Sequence, residues 1–196
     1  MSMKKDVLLC GVGGQGTVLA SKLIAAAAMA EGNTVHSAET IGMAQRGGSV
    51  TSHIRIGEEI GSPLIPFGQA DIMIAFEPAE AVRNLGYLKP DGIVIVNTVP
   101  VRPTTESLHP TGYDGVEMVE YLKKKATCIA VNANELCAPL GSSKFFNVAV
   151  LGVLAASGRL DIDGETVKKE IMKRVPERFV ESNLKAFGIG GTYACN

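Results

Sequence analysis

Cys10-Gly11-Val12-Gly13-Gly14-Gln15-Gly16-Thr17 decides the fold. It follows an apolar run, Val7-Leu8-Leu9-Cys10, and precedes strongly helical sequence over residues 18–30. Strand, glycine turn and helix in that order open a nucleotide-binding βαβ unit. In this reading Gly11 takes a left-handed turn that costs a residue with a Cβ roughly 1–2 kcal/mol. Gly13 lets a ligand phosphate approach the main chain, and Gly16 lets the helix pack close to the strand. The unpaired N–H groups and dipole at the helix start favour an anion. Gly11, Gly13, Gly14, Gln15 and Gly16 are therefore the candidate cofactor-binding residues. The alternative is a turn that only packs a helix on a sheet. A Walker A loop needs Lys-Ser/Thr after its glycines, and here Gly16 is followed by Thr17-Val18, which disfavours classical ATP hydrolysis.

Outward from this stretch, the chain reads as one domain over its 196 residues. The 46 % apolar and 20 % charged fractions are ordinary for a globular protein with ample core material. A net charge of −1 leaves no basic footprint for nucleic acid. The four cysteines, Cys10, Cys128, Cys137 and Cys195, form no CxxC pair, which argues against a zinc or iron–sulfur site and predicts no metal. The amino end runs into the first strand without a signal-peptide pattern, and residues 23–30 are too short an apolar run for a membrane span. The expected compartment is the cytoplasm, with no membrane contact.

Gly32 is suited to cap the first helix, and residues 34–38 read as a second strand ending at Glu39. An acid there is where a Rossmann protein holds a ribose hydroxyl; the plainer reading is a surface or interface carboxylate. Gly42-Met43-Ala44-Gln45-Arg46-Gly47-Gly48 then replaces the expected amphipathic helix. Gly47 and Gly48 leave main-chain amides accessible, and Arg46 suits bidentate contact with carboxylate or phosphate. Residues 49–56 alternate as a half-buried strand, antiparallel and near an edge, with His53 on its polar face. Residues 57–61 read as a turn and short partner strand, and 62–68 as a Pro-bounded loop with exposed apolar residues, a docking surface if the chain is a subunit and a loop folded back onto the sheet if it is a monomer.

Residues 70–76 and 93–97 are continuous apolar runs, as central parallel strands require. Glu77 follows the first of them and is either a site residue or a helix-start carboxylate, with Pro78 in the first turn of helix 79–85. Lys89-Pro90-Asp91-Gly92 reads as a turn, and 98–112 as a long loop. A helix then ends in Lys123-Lys124-Lys125, and residues 127–131 form a last strand. Ser142-Ser143 precede a core helix over 144–157, inside which Asn147 forms a buried or interface hydrogen bond. Asp163 caps the next helix, and helix 177–187 leads into a glycine-rich tail over 188–196. The predicted fold is α/β, a Rossmann-like three-layer sandwich, with a mostly parallel sheet and an antiparallel edge.

Three segments carry a resemblance: Gly11-Val12-Gly13-Gly14-Gln15-Gly16, then Glu39-Thr40-Ile41-Gly42-Met43-Ala44-Gln45-Arg46-Gly47-Gly48, then Phe76-Glu77-Pro78-Ala79-Glu80-Ala81. In this register they resemble the γ-type domain of 2-oxoacid:ferredoxin oxidoreductases. Asn147-Val148-Ala149-Val150-Leu151-Gly152 and Asn183-Leu184-Lys185-Ala186-Phe187 extend the likeness over essentially the whole chain. Size and the Gly-Met-Ala-Gln-Arg-Gly-Gly form look most like the small (β) subunit of the indolepyruvate enzymes, with pyruvate, 2-oxoisovalerate and 2-oxoglutarate relatives remaining open.

That resemblance implies oxidative decarboxylation of a 2-oxoacid with coenzyme A to acyl-CoA, CO2 and reduced ferredoxin. It also implies thiamine diphosphate, Mg and iron–sulfur clusters. This chain has neither cluster cysteines nor a thiamine-binding GDG motif, so these cofactors fall to a large catalytic (α) subunit. The chain is then inactive alone, and a homodimer of the isolated chain is left open. Under the resemblance the glycine turn either holds the pyrophosphate of coenzyme A or is structural. Glu39, Met43, Gln45, Arg46, Gly47, Gly48, Glu77 and Asn147 are the candidates for anion recognition, for the mouth of the partner's active site, or for the interface. The competing reading is a stand-alone dinucleotide-binding oxidoreductase or a ligand-binding Rossmann protein.

Overall fold

A computed structural model describes residues 4–41, 47–102 and 112–193. The apolar amino-terminal run becomes a central strand, β1 (Lys5–Val12). Its alternation serves two cores, with Val7 and Leu9 in one hydrophobic cluster and Leu8 and Cys10 in the other. The remaining strands are β2 (Val35–Ile41), β3 (Ser49–Ile56), β4 (Ala70–Ala75), β5 (Leu88–Asn97) and β6 (Thr127–Val131). They form one sheet in the order β2-β3-β1-β4-β5-β6. β1, β4, β5 and β6 run parallel, whereas β3 is antiparallel to both β1 and β2. The expected mostly parallel sheet with an antiparallel edge is present.

Helices cover both faces. Their ranges are α1 (Thr17–Ala30), α2 (Pro78–Asn84), α3 (Val116–Lys125), α4 (Ala133–Cys137), α5 (Phe146–Ala156), α6 (Gly164–Arg174) and α7 (Glu177–Tyr193). Leu23 and Ile24 of α1, Val148 and Leu151 of α5, Ile171 of α6 and Phe187 of α7 pack on the Val7–Leu9 face. Ala81 of α2 and Leu122 of α3 pack on the Leu8–Cys10 face. The result is the helix–sheet–helix sandwich expected of such a pattern.

Four local expectations are corrected. Lys89-Pro90-Asp91-Gly92 is part of β5: between the Ala70–Leu88 and Ile72–Ile93 pairs the register shifts, and the extra β5 residues form an irregularity at the sheet's end. Residues 57–61 hold no strand. His53 is buried, because the loop before β4 folds back over it: Ile65 enters the core and its N–H donates to His53 Nδ1 at 3.2 Å. The glycine-rich tail remains helical to Tyr193. There the glycines are a contact surface, since a Cβ on Gly190 would lie 1.8 Å from the Ala149 carbonyl and one on Gly152 would lie 2.0 Å from that of Phe187. Close approach of α5 and α7 offsets the roughly 1 kcal/mol that each helical glycine costs relative to alanine.

Candidate functional site

β1, β4 and β5 end at one edge of the sheet, and the chain leaves β1 in one direction to β2 and later returns on its other side to β4. In open α/β sheets ligands bind in the crevice outside such a switch point. Here it is a cleft of about 400 Å³ lined by Gly14, Gln15 and Gly16 of the glycine turn with Phe76, Asn97, Lys144 and Asn147.

The glycines act differently from expectation. Gly11 lies within β1, and the left-handed residues are Gly14 (φ 100°) and Gly16 (φ 82°). What Gly11 supplies is space: an added Cβ would stand 2.7 Å from Gln15 Oε1 and 2.9 Å from Phe76 Cβ. Gly13 N–H is already used, donating to the Gly48 carbonyl at 2.8 Å, while Gly47 N–H reaches the Gly13 carbonyl at 3.4 Å. These bonds extend the β1–β3 ladder into the turn, so neither the Gly13 nor the Gly47 amide is left for a phosphate. Gly16 admits α5 rather than the sheet, because a Cβ there would lie 2.5 Å from Asn147 Nδ2.

Gln15 does not point its amide at a ligand. Its Oε1 accepts from Val12 N–H at 2.7 Å, and its Nε2 donates to the Phe76 carbonyl at 2.8 Å. Asn97, at the end of β5, donates to the same carbonyl at 3.1 Å and accepts from Val99 N–H and Ala133 N–H at 3.0 and 3.2 Å. Two amide side chains thus hold the ends of β1, β4, β5 and the start of α4 together. Sequence reading passed over Asn97, although a polar residue ending an apolar strand is a usable signal.

The ligand-facing groups are fewer. No side chain caps α1, and its first residues, Thr17 and Val18, line a neighbouring pocket of about 550 Å³ together with Val12, Gly13 and Val50. The Thr17 hydroxyl is buried and has no hydrogen-bond partner among the described residues. Asn134, Ser143 and Lys144 also line the cleft, and Lys144 is exposed, making no ion pair among the described residues. The apolar part comes from Phe76 and Phe146, packed edge to face at 5.8 Å. Amides and one ammonium fit an anion carried on an apolar body.

Glu77 is a structural carboxylate. It caps α2, accepting from Glu80 N–H at 3.0 Å, and accepts from the Tyr113 hydroxyl at 2.6 Å. Tyr113 in turn accepts from Ala79 N–H at 3.1 Å. Burial, then the bond to Glu77, push the Tyr113 phenol well above its ordinary value. Buried Glu80 accepts from the Ser49 hydroxyl at 2.6 Å and pairs with Arg83, tying α2 to the start of β3. Burial, followed by the charges of Glu80 and Glu77, raises the Cys10 thiol far above the usual range and leaves it inert.

Glu39 is exposed on β2, opposite Ser52, which is itself opposite Leu9 of β1. Two strand spacings, roughly 10 Å, separate it from β1. β3 occupies the place a dinucleotide domain gives its second strand, so Glu39 is not brought to the glycine turn. Met43, Gln45 and Arg46 lie outside the described residues. Asn147 is buried and lines the cleft beside Gly16. Among the described residues no three His, Cys, Asp or Glu side chains gather as a metal site.

Comparison with known proteins agrees with this architecture. Residues 6–193 match the family model described as pyruvate ferredoxin/flavodoxin oxidoreductase. The indolepyruvate oxidoreductase subunit IorB of Archaeoglobus fulgidus is 40 % identical over 190 residues, covering 96 % of this chain and 94 % of that one. The crystal structure of the keto/oxoacid ferredoxin oxidoreductase gamma subunit from Geobacter sulfurreducens superposes with a TM-score of 0.70 at 25 % identity, over 97 % of this chain and 98 % of that one. A 2-oxoglutarate:ferredoxin oxidoreductase from Magnetococcus marinus, with 2-oxoglutarate, coenzyme A and succinyl-CoA bound, shares the fold with a TM-score of 0.76 at 19 % identity. All of this chain aligns there with 32 % of the longer one. The chain belongs to the pyruvate ferredoxin/flavodoxin oxidoreductase family.

Proposed function

We propose that this chain is the small, non-autonomous subunit of an indolepyruvate-type oxidoreductase. The 2-oxoacid loses CO2 and two electrons, its acyl carbon forms a thioester with coenzyme A, and the electrons pass to ferredoxin. The observation that carries this reading is the 40 % identity to an indolepyruvate oxidoreductase subunit along nearly the full length of both chains. The cleft supports it, because the glycine turn, amide side chains and Lys144 suit the phosphates of coenzyme A, with Phe76 and Phe146 beside them. Thiamine diphosphate with Mg, and iron–sulfur clusters, do not fit the described residues, which offer no thiolate set or carboxylate cluster. We assign them to a large catalytic subunit. The stand-alone dinucleotide reading is weakened by the position of Glu39.

The test is anaerobic, coenzyme A-dependent reduction of a viologen by the chain alone and with its co-expressed large subunit. Turnover is expected only with the partner, and kcat/KM is expected to be higher for indolepyruvate than for pyruvate or 2-oxoglutarate. A preference for pyruvate overturns the substrate assignment. Absence of turnover with every 2-oxoacid overturns the subunit reading itself.

A further inference from the structure

The loop over residues 57–69 joins β3 to β4 at the amino edge of the parallel strands, the edge opposite the cleft. It exposes Pro63, Leu64, Pro66 and Phe67 together; Leu64 is 50 % and Phe67 73 % accessible. Single exposed apolar residues are ordinary, but four in one loop form a patch. The patch is also held rigidly. Arg55 Nη1 donates to the Ser62 carbonyl at 3.1 Å, and its Nε pairs with Asp6 at 2.9 Å. Ile65 is plugged into the core over His53, and Gly68 N–H donates to the Gly86 carbonyl at 2.9 Å. Phe67 lies flat on Tyr87, centroids 4.3 Å apart and planes 16° from parallel, and Tyr87 meets His53 edge to face at 5.5 Å. Gly86 lies against the same ring, where an added Cβ would be in ordinary contact with Phe67 at 3.4 Å.

An exposed aromatic that is already ordered loses little entropy on association, which is the property of a preformed interface anchor. Charge selects the occupant. Two cations beside the loop are neutralised within the chain, Arg55 by Asp6 and Lys89 by Asp71. Glu58 and Glu59 are exposed, and residues 57–69 contain no Lys or Arg. A second copy of this face would bring carboxylates against carboxylates, so self-association is disfavoured.

We propose that the Leu64–Phe67–Tyr87 platform is the anchoring contact for the large catalytic subunit, which presents an apolar pocket rimmed by Lys or Arg. This rests on the subunit reading above.

The experiment measures the dissociation constant between the purified chain and its large subunit by analytical ultracentrifugation, for wild type and for Phe67→Ala, Phe67→Glu, Leu64→Glu and the pair Glu58→Lys with Glu59→Lys. Each variant's thermal midpoint is checked alone, and Leu64→Glu stands in should Phe67→Glu fail to fold. Phe67→Ala is expected to weaken assembly roughly 30-fold or more, as a central anchor does. The lysine pair is expected to weaken it and to reverse its salt dependence, and a change at Phe67 is expected to leave KM unaltered at saturating partner. A folded Phe67→Glu or Leu64→Glu that assembles as tightly as wild type overturns the platform. So does loss of a homodimer with assembly intact. Failure of wild type to assemble overturns the subunit reading, and the platform with it.

Discussion

Gln15 Nε2 donates to the Phe76 carbonyl at 2.8 Å while its Oε1 accepts from Val12 N–H at 2.7 Å, so one side chain bridges the point where the sheet changes direction. The glutamine of the glycine motif is a strut. Gln15→Glu replaces the donor with an acceptor and sets carboxylate oxygen against carbonyl oxygen. A loss of about 2–3 kcal/mol is expected from an unmade buried hydrogen bond with charge added. Urea unfolding measures it; a midpoint equal to wild type would sink the strut.

Gly11 and Gly14 separate two reasons for glycine. Gly14 has φ 100° and nothing near an added Cβ, so Gly14→Ala is expected to cost about 1–2 kcal/mol through the backbone alone. Gly11 has ordinary strand geometry but no room, so Gly11→Ala is expected to cost about 1–3 kcal/mol by overpacking against Gln15 and Phe76. The two are told apart by a double-mutant cycle with Gln15→Ala. Gly11→Ala should couple strongly, because removing the Gln15 amide relieves part of its clash, whereas Gly14→Ala should add independently. Equal coupling of both contradicts the assignment.

The difference between those glycines shows what the sequence made legible. Strand, turn and helix around Cys10–Thr17 were readable from apolar alternation and glycine placement, and so was the antiparallel strand at 49–56. Which glycine turns left, and which merely makes room, depends on Phe76 and Asn147, more than sixty and a hundred residues away in the chain, and no local pattern carries that information. His53 was misplaced for the same reason: strand periodicity put it on a polar face, and Ile65 of a distant loop buried it. The tail over 188–193 read as coil because glycine lowers helix propensity, while the partner that rewards those glycines is α5. Lys144 left no signal at all, since one lysine before a helix is ordinary.

His53 should make stability fall in mild acid. Burial holds its imidazole below the ordinary value, and Nδ1 needs its lone pair for Ile65 N–H. The folded state therefore binds this proton less readily than the unfolded chain, whose histidine titrates near 6.5. The contribution is fully present above about pH 6.5 and is lost as pH falls from there through the lower folded value. His53→Asn keeps an acceptor that does not titrate. The wild-type drop in urea midpoint from about pH 7.5 to about 5.5 should shrink in this variant. An undiminished drop would assign the acid sensitivity elsewhere.

Within α7 two neighbouring glycines should respond in opposite directions to the same substitution. Gly188 has ordinary helical geometry and nothing within 4 Å of an added Cβ, so Gly188→Ala removes backbone freedom from the unfolded chain and adds no contact. A gain of about 0.5–1 kcal/mol is expected. At Gly190 the added carbon would lie 1.8 Å from the Ala149 carbonyl oxygen and 2.8 Å from its carbon, and that atom is main chain inside a buried helix. The Ala149 main chain cannot rotate away, so α5 and α7 must separate along their contact, exposing Phe187 and Val153 from the shared core. Gly190→Ala is therefore expected to cost about 3 kcal/mol, at the upper end for overpacking. Because Asn147 sits on the same α5 against Gly16, that separation should also displace the cleft wall. Urea midpoints of the two variants decide it: a rise for Gly188→Ala and a fall for Gly190→Ala identify Gly190 as the helix contact. A matching rise in both would mean that α7 is simply a helix that tolerates glycine.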